Sequence, residues 1–354
     1  MHNACNETNT IKYQWNDQDG GVLPLVPPQG MLLLVAFVVI VASLSLLSSR
    51  HEVRQNTELT NRTKNGADAL DNAVHVILAS TDEMIPGVEA SIRSVEAHAS
   101  GPVTFHYIGD SPLRSMPNVK HYSLAEASQK YQLEDFVCLG DRGDGQNSIN
   151  TMHANYARFI LDELLPRTVK KAMYIDVDTV VFCDVNALID SVLNDTVAGI
   201  GDTGPVIAAV PRNHIYGLTR RGEKKYGSIS PSFNAGAYVV HLERWRDRKM
   251  GNYIRDIALT NNKKHWYYLG SQPPLNIAIG SHFEWLPVGW NVKAKRVKSG
   301  FKTKSGEEVC LVHWTGPVKP WQTNDSNAVH FLDIWEQYGT QSMVESEETS
   351  EQIN

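Results

Sequence analysis

Residues 172–181 read AMYIDVDTVV, an apolar run that ends on Asp176-Val177-Asp178. Ala172–Ile175 predicts a short buried strand. In an extended chain, residues two apart face the same side, so Asp176 and Asp178 can address one ion while Val177 packs away. Open α/β sheets bind ligands at the carboxyl ends of their strands, where this pair falls. Hard oxygen ligands suit Mg²⁺ or Mn²⁺, which commonly bridge to diphosphate oxygens. A solvated turn or a helix cap is the structural alternative for the same three residues.

On either side the chain repeats the logic of an open α/β sheet. Val74–Ser80 (VHVILAS) reads as a buried strand, Pro86 opens a helix with Val88, Ile92 and Val95 on one face, and Val103–Gly109 (VTFHYIG) is a second strand. Tyr156–Leu165 reads as helical and stops at Pro166. Val206–Val210, Ala237–Leu242 and Val309–Trp314 supply further strands. Strand, helix and strand at this spacing predict an α/β fold.

Composition bounds the function. Of 354 residues, 42% are hydrophobic and 20% charged, ordinary values for a folded domain. A net charge of -6 and the lack of a Lys/Arg block argue against a nucleic-acid partner. Cys5, Cys138, Cys183 and Cys310 are too few and too scattered for a disulfide scaffold, and no CxxC pair points to structural zinc. Met31–Leu47 (MLLLVAFVVIVASLSLL) carries no charge and is long enough for a short membrane span. A cleaved signal peptide fits poorly, because Lys12 is the one Lys or Arg before it. The expected organisation is a tail over 1–30, an anchor over 31–49, a polar stem over 50–72, a folded domain over 73–338 and an acidic tail over 339–354. Orientation stays open at this stage. Arg50, Arg54, Arg62 and Lys64 follow the span and favour a cytosolic domain by the positive-inside rule. The Asn61, Asn194 and Asn324 sequons favour a luminal one, and Asn6 carries another on the opposite side.

A second chemistry fits the opening stretch. Asp176-Val177-Asp178-Thr179-Val180 matches the nucleophile loop of haloacid-dehalogenase-type phosphatases, where the first Asp attacks phosphorus. That loop belongs on the first core strand of its family, whereas about a hundred residues of the folded domain precede it here. The far end of the chain weighs against it. Leu311–Trp321 (LVHWTGPVKPW) joins a strand, an imidazole, a Gly turn, a lysine and a rigid Pro-Trp. A neutral His313 would complete an Asp/Asp/His ligand set, and Lys319 would offer a point charge to a phosphate. A packed core histidine and a solvated lysine are the plain alternatives.

In this order, several motifs resemble glycosyltransferase family 8, the glycogenin-like retaining enzymes. They are ILASTDE (77–83), Tyr156-Ala157-Arg158-Phe159, Tyr174-Ile175-Asp176-Val177-Asp178, Phe233-Asn234-Ala235-Gly236, and His313-Trp314-Thr315-Gly316 with Lys319-Pro320-Trp321. The resemblance covers most of residues 74–321. It implies a Rossmann-like nucleotide-diphospho-sugar transferase (GT-A) fold, with one catalytic domain and a mixed sheet. It implies a retaining enzyme that moves a hexose or pentose from a UDP-sugar to a glycan or glycoprotein acceptor. It also implies Mn²⁺, with Mg²⁺ as the alternative ion, bound by Asp176, Asp178 and His313.

The remaining roles are likewise implied by the resemblance. Ala79, Ser80, Thr81 and Asp82 would line the uridine pocket, and Val177 is counted with the donor-binding residues. Arg158 would approach the nucleotide sugar, Lys319 would contact the diphosphate, and Gly316 would allow close backbone approach. Asn234 would hold sugar hydroxyls, and Gln272 would lie near the reacting carbon. Small Golgi members of the family share an anchor and stem, which implies a single-pass type II Golgi protein with a luminal catalytic domain. One motif departs from the pattern. Gly270-Ser271-Gln272 carries Ser271 where many members have an acid that contacts the donor sugar. That departure puts donor identity in doubt and keeps a UDP- or sugar-binding descendant without turnover as the alternative.

Overall fold

A computed structural model describes residues 73–113, 116–137, 153–194, 203–215, 217–323 and 330–339. Ten strands appear among them: β1 Val74–Ala79, β2 Val103–Gly109, β3 Val119–Ser123, β4 Lys171–Ile175, β5 Thr179–Val181, β6 Ile207–Arg212, β7 Ser232–His241, β8 Glu284–Trp285, β9 Val292–Lys293 and β10 Leu311–His313. The main sheet has the order β3-β2-β1-β4-β7-β6-β8 and is mostly parallel, with β7 antiparallel to β4 and β6. The expected α/β architecture and mixed sheet are both present. The N-terminal tail, anchor and stem expected over 1–72 lie outside the described residues, as does the acidic tail expected over 339–354 apart from Gly339, which ends the helix Leu332–Gly339. Among the described residues, no helix is long and apolar enough to cross a membrane.

Burial on both faces explains the unbroken apolar strands. Val76 and Leu78 of β1, Phe105 and Tyr107 of β2, and Met173 and Ile175 of β4 pack into one layer. Ile77, Ile108 and Tyr174 point into the other. Helix α1 (Ile85–His98) carries Pro near its start and lays Val88, Ile92 and Val95 on the first layer, as the i, i+4, i+7 spacing predicts. The Tyr156–Leu165 stretch differs from the sequence expectation. It is a 3-10 run, His153–Phe159, followed by one α-turn, Leu161–Leu164, with a break at Ile160. Buried Tyr156, Ala157, Arg158 and Phe159 are consecutive, so packing from every side replaces the single apolar stripe of a regular helix.

Topology puts a crevice at the carboxyl ends of the central strands. The chain runs from β1 outward to β2 and β3, then returns to β4 on the other side of β1. The C-terminal ends of β1 and β4 therefore flank a switch point, the usual place for a ligand in such sheets. A second sheet, β5-β10-β9, starts directly after the end of β4, with β5 following it in sequence and pairing with β10.

Two histidines, His106 buried and His75 half-buried, lie away from this crevice. His106 Nε2 is 3.0 Å from His75 Nδ1, and His106 Nδ1 is 2.9 Å from the Tyr122 hydroxyl. Burial first, then the nearby His75 and Lys120, push the His106 imidazole down to about 3. Burial and Lys120 lower His75 in the same direction. Both are neutral in the folded chain and become chargeable on unfolding. Their contribution is therefore full above their ordinary value of 6.5 and is lost as pH falls below it. We expect Tm to decline between pH 7 and pH 5, with a shallower decline in His106→Gln. Thermal melts across that range check the slope.

Candidate active site

The Asp176 and Asp178 carboxylates owe their placement to one strand end and three backbone ties. Asp176 N–H donates to Gly236 O of β7 at 2.7 Å, and Trp314 N–H donates to Asp178 O at 2.9 Å. The Ser91 hydroxyl of α1 donates to Thr179 O at 2.7 Å and to Val177 O at 3.2 Å. Val177 packs into the core, as its alternation predicts. Thr179 then starts β5, which pairs antiparallel with β10 so that His313 stands opposite Thr179. Residues far apart in sequence meet through that one ladder.

Each carboxylate is divided between two neighbours. Asp176 Oδ1 accepts from Arg158 Nη2 at 3.0 Å, while Asp176 Oδ2 faces His313 Nε2 at 3.7 Å. Asp178 Oδ2 pairs with the Lys319 ammonium, while Asp178 Oδ1 faces His313 Nε2 at 3.2 Å. The inner oxygens and the imidazole nitrogen converge within 4.8 Å of one another. Two carboxylate oxygens and one imidazole nitrogen form a donor set suited to a divalent ion such as Mn²⁺ or Mg²⁺. Burial alone would raise the Asp178 carboxyl, but His313 and Lys319 hold it well below the usual carboxylate range. It is therefore an anion at neutral pH, as a ligand must be. The phosphatase alternative requires a site indifferent to His313 and Lys319, yet both contact Asp178 directly.

A cavity of about 720 Å³ opens in front of these groups. Arg158, Asp176, Asp178, His313, Gly316 and Lys319 lie on its wall, together with Asn234, Ser271 and Gln272. A smaller recess of about 90 Å³ adjoins it, lined by Ala79, Ser80, Thr81 and Val177 among others. Asp82 lines neither space. Its carboxylate instead accepts from Ser111 N–H at 3.0 Å and from the Ser111 hydroxyl at 2.8 Å. Gly316 has φ +133°, a conformation that favours glycine, and no other group stands where its Cβ would be.

Arg158 is tied down rather than extended into the cavity. Its guanidinium donates to Asp176, the Tyr174 hydroxyl, Ala235 O and Asn155 O. It also lies 4.5 Å over the Tyr174 ring, which stacks on Tyr238. Phe233–Gly236 does not form the turn that its Asn-Ala-Gly composition also allows; it lies inside β7. Helix α2 (Gln272–Ile279) braces it. Asn276 bonds Phe233 N–H and O, and Gln272 Oε1 accepts from Ala235 N–H at 3.0 Å. Ser271, the departure noted in the sequence, is buried at the start of that helix.

Gly236 is needed for close approach. A Cβ there would strike His313 Cε1 and come within 2.7 Å of Asp176 Oδ2 and 2.9 Å of Asn234 Oδ1. We expect Gly236→Ala to weaken Mn²⁺ binding by about tenfold or more while the domain stays folded, a loss checked by calorimetric titration. Three further features were not read from the sequence. Asn291 contacts His313, Tyr174 and Tyr238 support Arg158, and a Cys183–Cys310 disulfide joins the chain just beyond β5 to the chain just before β10. Tyr174 belongs to a quoted motif, but no local pattern assigns it or the others these partners, because each pairing arises from a tertiary contact.

Residues 75–325 match the family described as Glycosyl transferase family 8. The chain is 26% identical over 287 residues to "Probable galacturonosyltransferase-like 8" of Arabidopsis thaliana, covering 75% of this chain and 71% of that protein. It is 26% identical over 307 residues to "Glycosyltransferase 8 domain-containing protein 1" of Bos taurus, covering 79% and 81%. Among solved structures it is similar in fold to the galactosyltransferase LgtC, solved with donor and acceptor sugar analogues. The TM-score is 0.55 at 18% identity, covering 75% of this chain and 95% of that one.

Proposed function

The chain belongs to glycosyl transferase family 8, and from that premise and the site geometry we propose that it transfers a hexose or pentose from a UDP-sugar to a glycan or glycoprotein, with retention and with Mn²⁺ as the ion. The observation that carries this reading is the convergence of Asp176 Oδ2, Asp178 Oδ1 and His313 Nε2 at the wall of a cavity large enough for a nucleotide sugar. Asp176, Asp178 and His313 would hold the ion, whose chemistry when bound is to neutralise charge on the departing diphosphate. Lys319, fixed by Asp178 and by Trp314 O at 3.2 Å, adds a preorganised positive charge beside it. Gly316 lets the backbone approach the same phosphates. Asn234 and Gln272 are held by β7 and α2 where they can orient the sugar, and no carboxylate other than the two metal ligands and Glu83 lies on the described wall. A front-face displacement, without a covalent sugar–protein intermediate, fits that inventory.

The Cys183–Cys310 disulfide supports a luminal domain, because such bonds persist in oxidising compartments. Asn194, exposed at its sequon, is consistent with the same side of the membrane. We accordingly propose a Golgi type II protein anchored through residues 31–49. The test is a panel of UDP-sugars incubated with the full-length chain, reading UDP release with Mn²⁺ and with EDTA. We expect release from at least one donor in Mn²⁺ and none in EDTA. Binding of UDP without turnover of any donor would favour the non-catalytic alternative and direct attention to Ser271.

A further inference from the structure

Asn291 precedes β9 and belongs to none of the sequence motifs, yet it is buried to within 1% of its surface beside the metal-ligand cluster. Its Oδ1 lies 3.0 Å from His313 Nδ1, and its Nδ2 donates to Asn234 Oδ1 at 3.1 Å. Its backbone oxygen accepts from Arg212 Nη2 at 2.7 Å, which fixes the main chain behind it.

The amide orientation follows from the contacts alone. Asn234 Oδ1 also accepts from Gly236 N–H at 3.0 Å, so that atom must be an oxygen. The Asn291 atom facing it must then be the NH₂, and the atom facing His313 must be the carbonyl oxygen. A carbonyl oxygen only accepts, so His313 carries its proton on Nδ1. With Nδ1 engaged by Asn291, Nε2 is the nitrogen that faces Asp176 Oδ2 and Asp178 Oδ1 and would offer its lone pair to an ion between them. Flipping the Asn291 amide would set oxygen against oxygen at Asn234 and leave His313 Nδ1 facing an NH₂. The buried site has no room for a mixture of the two arrangements to be equally good.

We propose that Asn291 is a positioning residue that serves two ligands with one amide. Its oxygen holds His313 in the tautomer that can bind a metal, and its NH₂ holds Asn234 in the orientation that presents its own NH₂ group to the donor sugar. Metal binding and sugar recognition are then coupled through a single buried side chain. This inference rests on the function proposed above.

Two variants separate the halves. Asn291→Asp keeps an oxygen toward His313 but has no NH₂ for Asn234; Asn291→Leu has neither. Three readouts are taken on the full-length chain: Mn²⁺ affinity without nucleotide, the gain in affinity of UDP-glucose and UDP-galactose over UDP in Mn²⁺, and the melting temperature in EDTA. We expect Asn291→Asp to bind Mn²⁺ within about threefold of wild type, or more tightly, and to lose the gain from the sugar. We expect Asn291→Leu to lose about 10–100-fold in Mn²⁺ affinity and the sugar gain as well. Wild-type Mn²⁺ affinity in a folded Asn291→Leu protein would overturn the metal half. If Asn291→Leu does not fold, Asn291→Asp still decides, because an intact sugar gain or a Mn²⁺ affinity lost by more than tenfold contradicts the scheme. A wild type that binds UDP-sugars no more tightly than UDP overturns the sugar half. A wild type that binds neither Mn²⁺ nor UDP overturns the proposed function itself, a result distinct from all of these.

Discussion

Asp178→Asn is expected to abolish Mn²⁺-dependent turnover, with a fall of at least about 10²–10³ in rate. The residue is 7% exposed, and its two carboxylate oxygens serve different partners, His313 and Lys319. An amide keeps the shape and loses the charge. One of its two atoms is then an NH₂, so the amide cannot offer oxygen both to the Lys319 ammonium and to the ion-binding side beside His313. Lys319, itself 6% exposed, loses its carboxylate counter-charge and keeps only neutral partners such as Trp314 O among the contacts described. Stranding a buried cation costs about 3 kcal/mol or more. Stability should therefore fall together with metal affinity. Adding Lys319→Met is expected to restore much of the stability and none of the activity, since the charge problem is removed but the ligand is not returned. Melting curves and Mn²⁺ titrations on the two proteins check both statements.

Removal of the Cys183–Cys310 disulfide, by Cys183→Ser with Cys310→Ser, is expected to cost about 2–5 kcal/mol of stability. The two residues lie 127 apart in sequence, so the cross-link closes a long loop in the unfolded chain. Longer loops lose more entropy when closed, which places the expected loss toward the upper part of that range. The bond also has a local consequence. Cys183 follows β5 by two residues and Cys310 directly precedes β10, so it staples the strand after Asp178 to the strand that carries His313. Phe182 N–H donates to Cys310 O at 2.8 Å, and the β5–β10 ladder continues from there to the site. Urea unfolding of the double variant, and of wild type with and without reductant, measures the effect. A midpoint unchanged by reductant would remove the disulfide from the account of stability.

The sequence made the strands and the candidate carboxylate ligands legible for a shared reason. Fully buried strands in a mostly parallel sheet are continuous apolar runs, and Val103–Gly109 coincides with β2 residue for residue. Asp176 and Asp178 could be placed at a strand end because alternation is a local property. His313 and Lys319 could be matched to them by donor chemistry, but the choice among the alternatives leaned on the resemblance to a family, since His313 lies 137 positions after Asp176. What stayed hidden depends on contacts that no local pattern encodes. Arg158 reads as a donor-binding residue, yet its guanidinium is held by Asp176, Tyr174 and two carbonyls. Phe233-Asn234-Ala235-Gly236 has turn composition but forms strand, because Asn276 and Gln272 hold its backbone from a neighbouring helix. Asn291 carries no signal beyond being an asparagine, and only the fold brings it to His313.

The most direct test of the central claim is a calorimetric titration of UDP into the full-length chain, in Mn²⁺ and in EDTA. If Asp176, Asp178 and His313 hold an ion that binds a nucleotide diphosphate, UDP should bind at least about tenfold more tightly in Mn²⁺, and Asp178→Asn should erase that difference. Equal affinity for UDP with and without the ion, or a difference that survives in Asp178→Asn, would contradict it.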